Sequence, residues 1–526
     1  MPGTLSAAPR EILHREKPRE TKLSDRKVRI EVSGPLRHGG IERLMNFALD
    51  SATRRRLGYQ LIDQIDAYFS SLPDRPVQLP SERRTYGPLS DSLPESGDEP
   101  DKVLAEVSAR MVEEGFHVPS ANYFGLMNPT PTFMGVVGEA LVAALNPQLA
   151  TLARSQLASK IELETVRWVG ERVGWSGPFS GTFTSGGNEA NFSGMAMALA
   201  AKFPQAVEDG VASIGGRAVA YASAESHHSL DKSAGLLGIG RGGLRRIPVN
   251  AKLQLDCRAL EEAIGQDLAA GARPFSVIAT AGTTNCGTVD GLEELSATSK
   301  RHGLWLHVDG AYGAAAIFSD AHRHRVKGIE LADSITIDPH KWLAMPFAAG
   351  IVLTCHPQVL ERTFAVAAPY MPKAAGAKLP DNSRISAQWT RRMNSLKLWV
   401  TLRVHGRRAY EELIDRQMGL ALDFAEWVRA SDSFELVAAP TLPIVAFQWK
   451  RGNMSPDERA AIHDEIVEEI TADGRRWISE TQVNGRSAMR MMVISYLTEE
   501  RHLRELEAAL ERAAKRLSKE TAHVEL

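Results

Sequence analysis

Leu, Ile, Met and Val recur at three- and four-residue intervals over residues 41–72 and 101–115, and this spacing predicts two amphipathic helices. Between them, 73–100 is rich in Pro, Ser and Asp and reads as a loop. Pro119 to Thr132 carries three prolines and cannot form a regular helix. Helical spacing returns at 133–145 and 158–174. From 180 to 355 the texture changes. Short β-rich runs at 217–222, 244–248, 275–281, 304–308, 334–338 and 350–354 alternate with helical stretches near 188–202, 229–237, 256–265 and 291–302. Such alternation predicts βαβ units and a mostly parallel sheet covered on both faces. Residues 391–430 read as a long helix with Leu396, Leu398, Trp399, Leu402 and Val404 as its apolar part. Strands at 434–448 and 488–495 and a helix at 497–517 then predict a smaller α+β unit.

Composition narrows this picture. The chain has 526 residues, 43% hydrophobic and 24% charged, which excludes a mostly disordered chain, a collagen-like repeat and a coiled coil. Lys and Arg number 62 against 64 Asp and Glu, for a net charge of −2, so nothing asks for nucleic acid or an anionic membrane as partner. The spacing of Cys257, Cys286 and Cys355 fits neither a disulfide framework nor a zinc site, and a reducing cytoplasm is expected. No apolar run approaches the roughly 18 residues of a membrane helix, and the N-terminus lacks the apolar region of a signal peptide. Residues 1–32, charged and poor in large apolar side chains, read as a flexible arm or as one that wraps a partner subunit.

In a parallel sheet, ligands sit at the carboxyl ends of the strands. The unusual residues of this chain lie there. Thr184-Ser185-Gly186-Gly187-Asn188-Glu189-Ala190-Asn191 follows a strand-like run and opens a helix. Its glycines and free helix-start N–H groups suit an anion, with Asn188 as an added donor. The same residues also read as a glycine turn with an Asn cap. Glu225 to Lys232 carries His227 and His228, which could stack on a ring, act as acid or base, or be polar surface. Thr280-Ala281-Gly282-Thr283-Thr284-Asn285-Cys286-Gly287 could line a site with hydroxyls or form a plain turn. Cys286 has no basic partner nearby and reads as a small buried residue. His307-Val308-Asp309-Gly310-Ala311 delivers a carboxylate at the end of an apolar strand, where it is costly unless paired with a cation. Asp338-Pro339-His340-Lys341-Trp342 places a lysine beside apolar groups, where desolvation favours the free amine. One ligand needs all five features: an aromatic aldehyde with a phosphate and a ring nitrogen, its aldehyde held by Lys341 as a Schiff base and its pyridinium kept protonated by Asp309.

With these motifs the sequence resembles the group II pyridoxal-phosphate-dependent amino-acid decarboxylases, from about Tyr123 to Leu517. The resemblance implies fold type I, the aspartate aminotransferase-like α/β fold, with pyridoxal 5'-phosphate as cofactor. It implies an arm over 1–32, an N-terminal helical segment over 33–125, a large cofactor-binding domain over 126–400 and a small C-terminal domain over 401–526. Carried over by motif, Lys341 holds the cofactor, Asp309 meets its ring nitrogen, His227 stacks on the ring and Ala311 packs beneath it. Gly187, Asn188 and His340 touch the phosphate, Thr283 supplies a hydroxyl, and Asp338 stands beside the cofactor. Asn128 and Thr130 fall on a substrate-side loop, and Arg490 matches an arginine that in glutamate decarboxylases binds the substrate carboxylate.

The implied reaction removes the α-carboxylate of a small-molecule L-amino acid and releases an amine and CO2. The implied assembly is a homodimer with the active site at the interface, the helices at 41–72 and 133–150 being candidate dimer surface. One departure opens an alternative. Many relatives carry a tyrosine, on the loop before the helix that begins at Ser395, that protonates the carbanion, whereas Met371 to Trp399 contains no Tyr. The aligned position falls near Asn382, and Tyr370 stands at the loop's start. Loss of that proton donor would favour an oxygen-dependent, aldehyde-forming reaction. A carbon–carbon lyase of the same fold and a scaffold that has lost the cofactor are the remaining readings.

Overall fold

The computed structural model describes residues 47–84, 92–367, 380–450 and 454–524, with side chains through Lys519. The arm expected over 1–32 and Tyr370 lie outside the described residues. Contacts divide the chain into one unit, Met1–Gln60, and a second, Leu61–Leu526. Helix α1, Ser51–Ser71, begins in the first unit, where Asp50 Oδ1 accepts the N–H groups of Ala52 and Thr53 at 2.8 and 2.9 Å and caps it.

In the second unit, helices α2 (Pro100–Glu113), α3 (Phe133–Leu145) and α4 (Gln156–Val173) precede the sheet. The start of α3 is fixed by Thr132, whose hydroxyl accepts the Gly135 N–H at 3.1 Å, and its end by Asn146 in the left-handed region at φ 43°. Seven strands follow: β1 (Ser180–Thr184), β2 (Ala218–Ser223), β3 (Leu244–Ile247), β4 (Arg273–Thr280), β5 (Trp305–Asp309), β6 (Ser334–Ile337) and β7 (Gly350–Thr354). They lie in the order β1-β7-β6-β5-β4-β2-β3. β2 to β6 run parallel, and β7 is antiparallel to both β6 and β1. β1 therefore points the same way as β6, and the carboxyl ends of β1, β2, β4, β5 and β6 share one edge. Helix α5 (Gly187–Lys202) crosses β4 to β7, with Met195, Met197 and Leu199 buried. The strands are buried on both faces, as the continuous apolar runs predict.

The carboxyl-terminal part forms a second, antiparallel sheet, in the order β10-β11-β9-β8. Its strands are β8 (Phe434–Leu436), β9 (Ile444–Trp449), β10 (Ser479–Val483) and β11 (Arg486–Met492). Phe424, Phe434, Phe447, Met489 and Leu506 build its core. The single run expected over 434–448 is two strands, because Pro440 and Pro443 cannot donate to a ladder. The long helix starts at Ser395 and bends at Gly406, whose φ of 72° is outside helical space. The helix Pro456–Ala472 escaped the sequence reading although its start carries a capping box, Ser455 with Glu458.

A buried ion pair ties α4 to the segment before the long helix. Arg391 donates from Nη1 to Glu162 Oε2 at 2.7 Å and from Nη2 to Glu162 Oε1 and to Thr182 Oγ1. Glu162 and Arg391 are 2% and 5% exposed, so removing one partner leaves an uncompensated buried charge. Glu162→Ala should therefore lose about 3–5 kcal/mol of unfolding free energy in a denaturant titration, whereas Glu162→Leu with Arg391→Met should come close to wild type.

Candidate active site

The five strand ends converge on a cavity of about 320 Å³. After β1, the chain turns through Gly186, whose φ of 154° lies in the range that favours glycine. Its position also admits a histidine: a Cβ there would stand 3.0 Å from His340 Cε1. Gly187 opens α5 so close to the opposite wall that a Cβ would stand 2.6 Å from Asp338 Oδ2 and 3.2 Å from the Ala311 Cβ. Asn188 follows at the helix start, exposed to the cavity.

After β2 stands His227. Its Nδ1 accepts the Ser229 N–H at 3.1 Å, which leaves the proton of a neutral ring on Nε2. Desolvation lowers its pKa from the usual 6.5, Asp309 opposes this and Lys341 adds to it. At the end of β5, Asp309 is 5% exposed. Its Oδ2 accepts from Asn191 Nδ2 at 2.8 Å and its Oδ1 from the Ala311 N–H at 3.2 Å. After β6, Lys341 Nζ lies 3.3 Å from Asp338 Oδ2. Burial raises the Asp338 carboxyl to about 6 against the pull of Lys341. Burial and the charges of Lys341 and Lys397 push His340 down to about 3, and its Nδ1 accepts the Ala349 N–H at 2.9 Å. His340 is thus neutral at pH 7, with its proton on Nε2.

Gly187, Asn188, His227, Asp309, Ala311, Asp338, His340 and Lys341 therefore line one cavity. The family model described as "Pyridoxal-dependent decarboxylase conserved domain" matches residues 82–450 of this chain. The chain belongs to the pyridoxal-dependent decarboxylase family. It is 31% identical to an aromatic-L-amino-acid decarboxylase of Bacillus atrophaeus, over 86% of this chain and 93% of that protein. It is 29% identical to a 4-hydroxyphenylacetaldehyde synthase of Rhodiola rosea, over 84% of this chain and 91% of that protein. The crystal structure of Oryza sativa TDC with PLP and tryptamine superposes with a TM-score of 0.83 at 25% identity, covering 89% of this chain and 99% of that one.

This decarboxylase is an enzyme of the carboxy-lyase class, and its cofactor is pyridoxal 5'-phosphate. The cavity fits that group. Asp338, Thr280 and Tyr312 line it, and Asp338 Oδ1, Thr280 Oγ1 and the Tyr312 hydroxyl are buried without a protein partner, as polar atoms left for a ligand would be. Tyr312 is stacked on Trp342 at 5.0 Å and 14°, which fixes its ring. The glycine cradle leaves room for an anion at the helix start.

Four expected site residues are placed elsewhere. The Thr283 hydroxyl turns inward to accept the Thr288 N–H at 3.1 Å and lies 3.3 Å from Cys286 Sγ, and the wall is formed by Thr280, Gly282 and Thr284 instead. The Thr130 hydroxyl is fully buried and committed to the Pro119 carbonyl at 2.7 Å and Ser495 Oγ at 2.6 Å. The Asn128 side chain accepts from the Tyr123 hydroxyl at 3.2 Å, and its neighbour Met127 reaches the cavity. Arg490 stands behind the wall, donating from Nε to Ser479 Oγ at 3.1 Å and from Nη1 to the Thr284 carbonyl, with burial pushing its pKa down to about 10. It braces Thr284 rather than facing the cavity. Asn191, Ser229 and Thr280, which stand inside the motifs above without being singled out, also line the cavity, as does Tyr312.

The glycine cradle generates a prediction. Gly187→Ala should weaken pyridoxal phosphate binding at least about tenfold, or 1.4 kcal/mol, in a fluorescence titration of the apoenzyme, with an unchanged circular-dichroism spectrum.

Proposed function

We propose that this decarboxylase removes the α-carboxylate of an L-amino acid and releases an amine and CO2, with residues 126–400 as cofactor-binding domain and 401–526 as small domain. The observation that carries the reading is the meeting of Lys341, Asp309 and His227 in one cavity beside the Gly187-Asn188 helix start. Lys341 would hold the cofactor at its aldehyde carbon, Asp309 would face the ring nitrogen, and Ala311 and His227 would lie on opposite faces of the ring. Gly187, Asn188 and His340 would hold the phosphate, His340 from Nε2, with Asp338 keeping Lys341 in place. When bound, the cofactor supplies an electron sink for the bond that breaks at Cα. Asp309 maintains that sink by holding a negative charge where water is excluded. His227 would present its Nε2–H to the cavity as a hydrogen-bond donor for the reacting group.

The aldehyde-forming reaction is the second reading. The absence of a tyrosine from 371–399 favours it, as does the burial of Asn382, whose Nδ2 donates to Ser159 Oγ at 3.3 Å instead of reaching the cavity. Residues 371–379 of that stretch lie outside the described residues.

The enzyme would act as a homodimer in the cytoplasm. Exposed Phe133, Leu141 and Leu145 on α3 and an adjoining apolar groove of about 560 Å³ support a self-association face. Three free cysteines suit a reducing compartment. A sedimentation measurement should give twice the chain mass, and Leu145→Glu should shift it toward one.

Purified enzyme with pyridoxal phosphate, given a panel of L-amino acids in air and without oxygen, should yield the same amine in both when products are weighed by mass spectrometry. An aldehyde formed only in air would establish the second reading. Lys341→Ala should abolish turnover, and borohydride reduction should no longer fix the cofactor to the peptide containing residue 341. Full turnover in that variant would overturn the assignment.

A further inference from the structure

From Asn191 at the cavity wall, a line of buried polar groups runs back behind Asp309 through His307, Ser334 and Trp305. Strand alternation puts Trp305, His307 and Asp309 on one face of β5. The Trp305 indole donates to Ser334 Oγ at 2.8 Å. The Ser334 hydroxyl lies 2.8 Å from His307 Nδ1 and, with the indole proton on its oxygen, gives its own proton to that nitrogen. His307 therefore carries its proton on Nε2, which faces Asn191 Oδ1 at 3.2 Å and Thr336 Oγ1 at 3.3 Å. With Oδ1 accepting, Asn191 Nδ2 is the donor, to Asp309 Oδ2 at 2.8 Å and to Ser229 Oγ at 3.0 Å. Every donor in the line points one way, toward the carboxylate. Burial pushes the His307 imidazole down to about 4, so the ring stays neutral and the line adds no charge of its own.

A second observation comes from the helix above. Asn191 and Gly194 stand three residues apart on the face of α5 that covers β5. A Cβ at Gly194 would lie 2.3 Å from His307 Cε1 and 2.5 Å from Nδ1. A helix interior disfavours glycine, and here the missing side chain is the space the imidazole occupies.

We propose that Asn191 and His307 are positioning residues: their donor chain holds the Asp309 carboxylate in one orientation, toward the ring nitrogen of the bound cofactor. The inference rests on Asp309 being the partner of that nitrogen. In its absence, the carboxylate keeps only the Ala311 N–H as a fixed donor among the described residues, and its plane can turn.

The test uses holoenzyme variants with two readouts besides activity: the cofactor dissociation constant and the pH titration of the bound cofactor's visible absorption. Asp309→Asn is the reference. Asn191→Ala and His307→Leu should each weaken the cofactor by about tenfold and move the spectral titration in the direction that Asp309→Asn moves it. His307→Gln, whose amide can replace the Nε2 donor, should recover cofactor affinity to within about threefold of wild type. Gly194→Ala, which displaces the ring without removing a polar group, should resemble His307→Leu and gives a second route where the leucine variant does not fold. Wild-type affinity and titration in Asn191→Ala would overturn the inference. So would equal losses in His307→Leu and His307→Gln, since a packing defect would then account for both. Should Asp309→Asn itself leave spectrum and affinity unchanged, it is the placement of Asp309 at the ring nitrogen that fails.

Discussion

Charge taken out of water constrains the centre of this molecule more than any other feature. Asp309, Asp338 and Asp290 are all at most 5% exposed, and an unpaired buried carboxylate is costly by several kcal/mol or more. Each is met in a different way. Asp290 accepts the N–H groups of Leu255 and Thr280, both at 2.7 Å, and burial still raises it to about 6. Asp338 lies against Lys341. Asp309 takes the Asn191 amide and the Ala311 N–H. The consequences spread outward. Asn191 must sit on α5, α5 must lie close over β5, and Gly194 must lack a side chain, at about 1 kcal/mol of helix propensity relative to alanine.

The cations obey the same rule. Lys397, 1% exposed, is held by Glu139 and by the carbonyls of Pro346 and Ala348, both at 2.9 Å. Those carbonyls belong to the turn after Lys341, so the ion pair fixes the lysine-bearing segment from behind. The charge on Lys397 also helps depress His340, which links a structural pair to the protonation state of a cavity residue. Arg490 has the same character. It crosses from the small sheet to the Thr284 carbonyl and joins that sheet to the turn that closes the cavity. Glu225 adds a second tie between the same two parts, accepting Asn285 Nδ2 at 3.0 Å and the Asn484 N–H at 2.8 Å.

Much of this was legible in the sequence, because apolar strands with polar residues at their carboxyl ends are a strong pattern, and Lys341, Asp309 and His227 each follow one. What escaped was orientation within turns. Thr280 and Thr283 look alike as hydroxyls, but β4 and β5 pair with Thr280 beside Asp309, Ile278 beside His307 and Ser276 beside Trp305. Counting by twos along β4 from that register selects Thr280, whereas Thr283 lies beyond the strand, in a turn that binds its own backbone. Asn191 had a comparable signal, one turn after Gly187 and one turn before Gly194, but helical spacing alone cannot say that a carboxylate lies beneath it. Arg490 was singled out in the sequence, but its role was open. A strand-end arginine is equally consistent with a ligand contact and with a brace, and only the position of the Thr284 carbonyl separates them.

The same restraint on charge bears on where a proton can come from during the reaction. Tyr312 lines the cavity, but burial raises its pKa well above the ordinary value and makes it a poor acid. Asp338 Oδ1 has no protein partner, yet Asp338 Oδ2 lies against Lys341, so protonating this carboxyl weakens the contact that holds the lysine. Thr280 and Thr284 offer hydroxyls with no acidity near neutral pH. Among the described residues, the histidines His227 and His340 and the amine of Lys341 are the remaining groups of the cavity wall that can exchange protons. Under the proposed reaction, it would fall to these groups to return a proton to Cα.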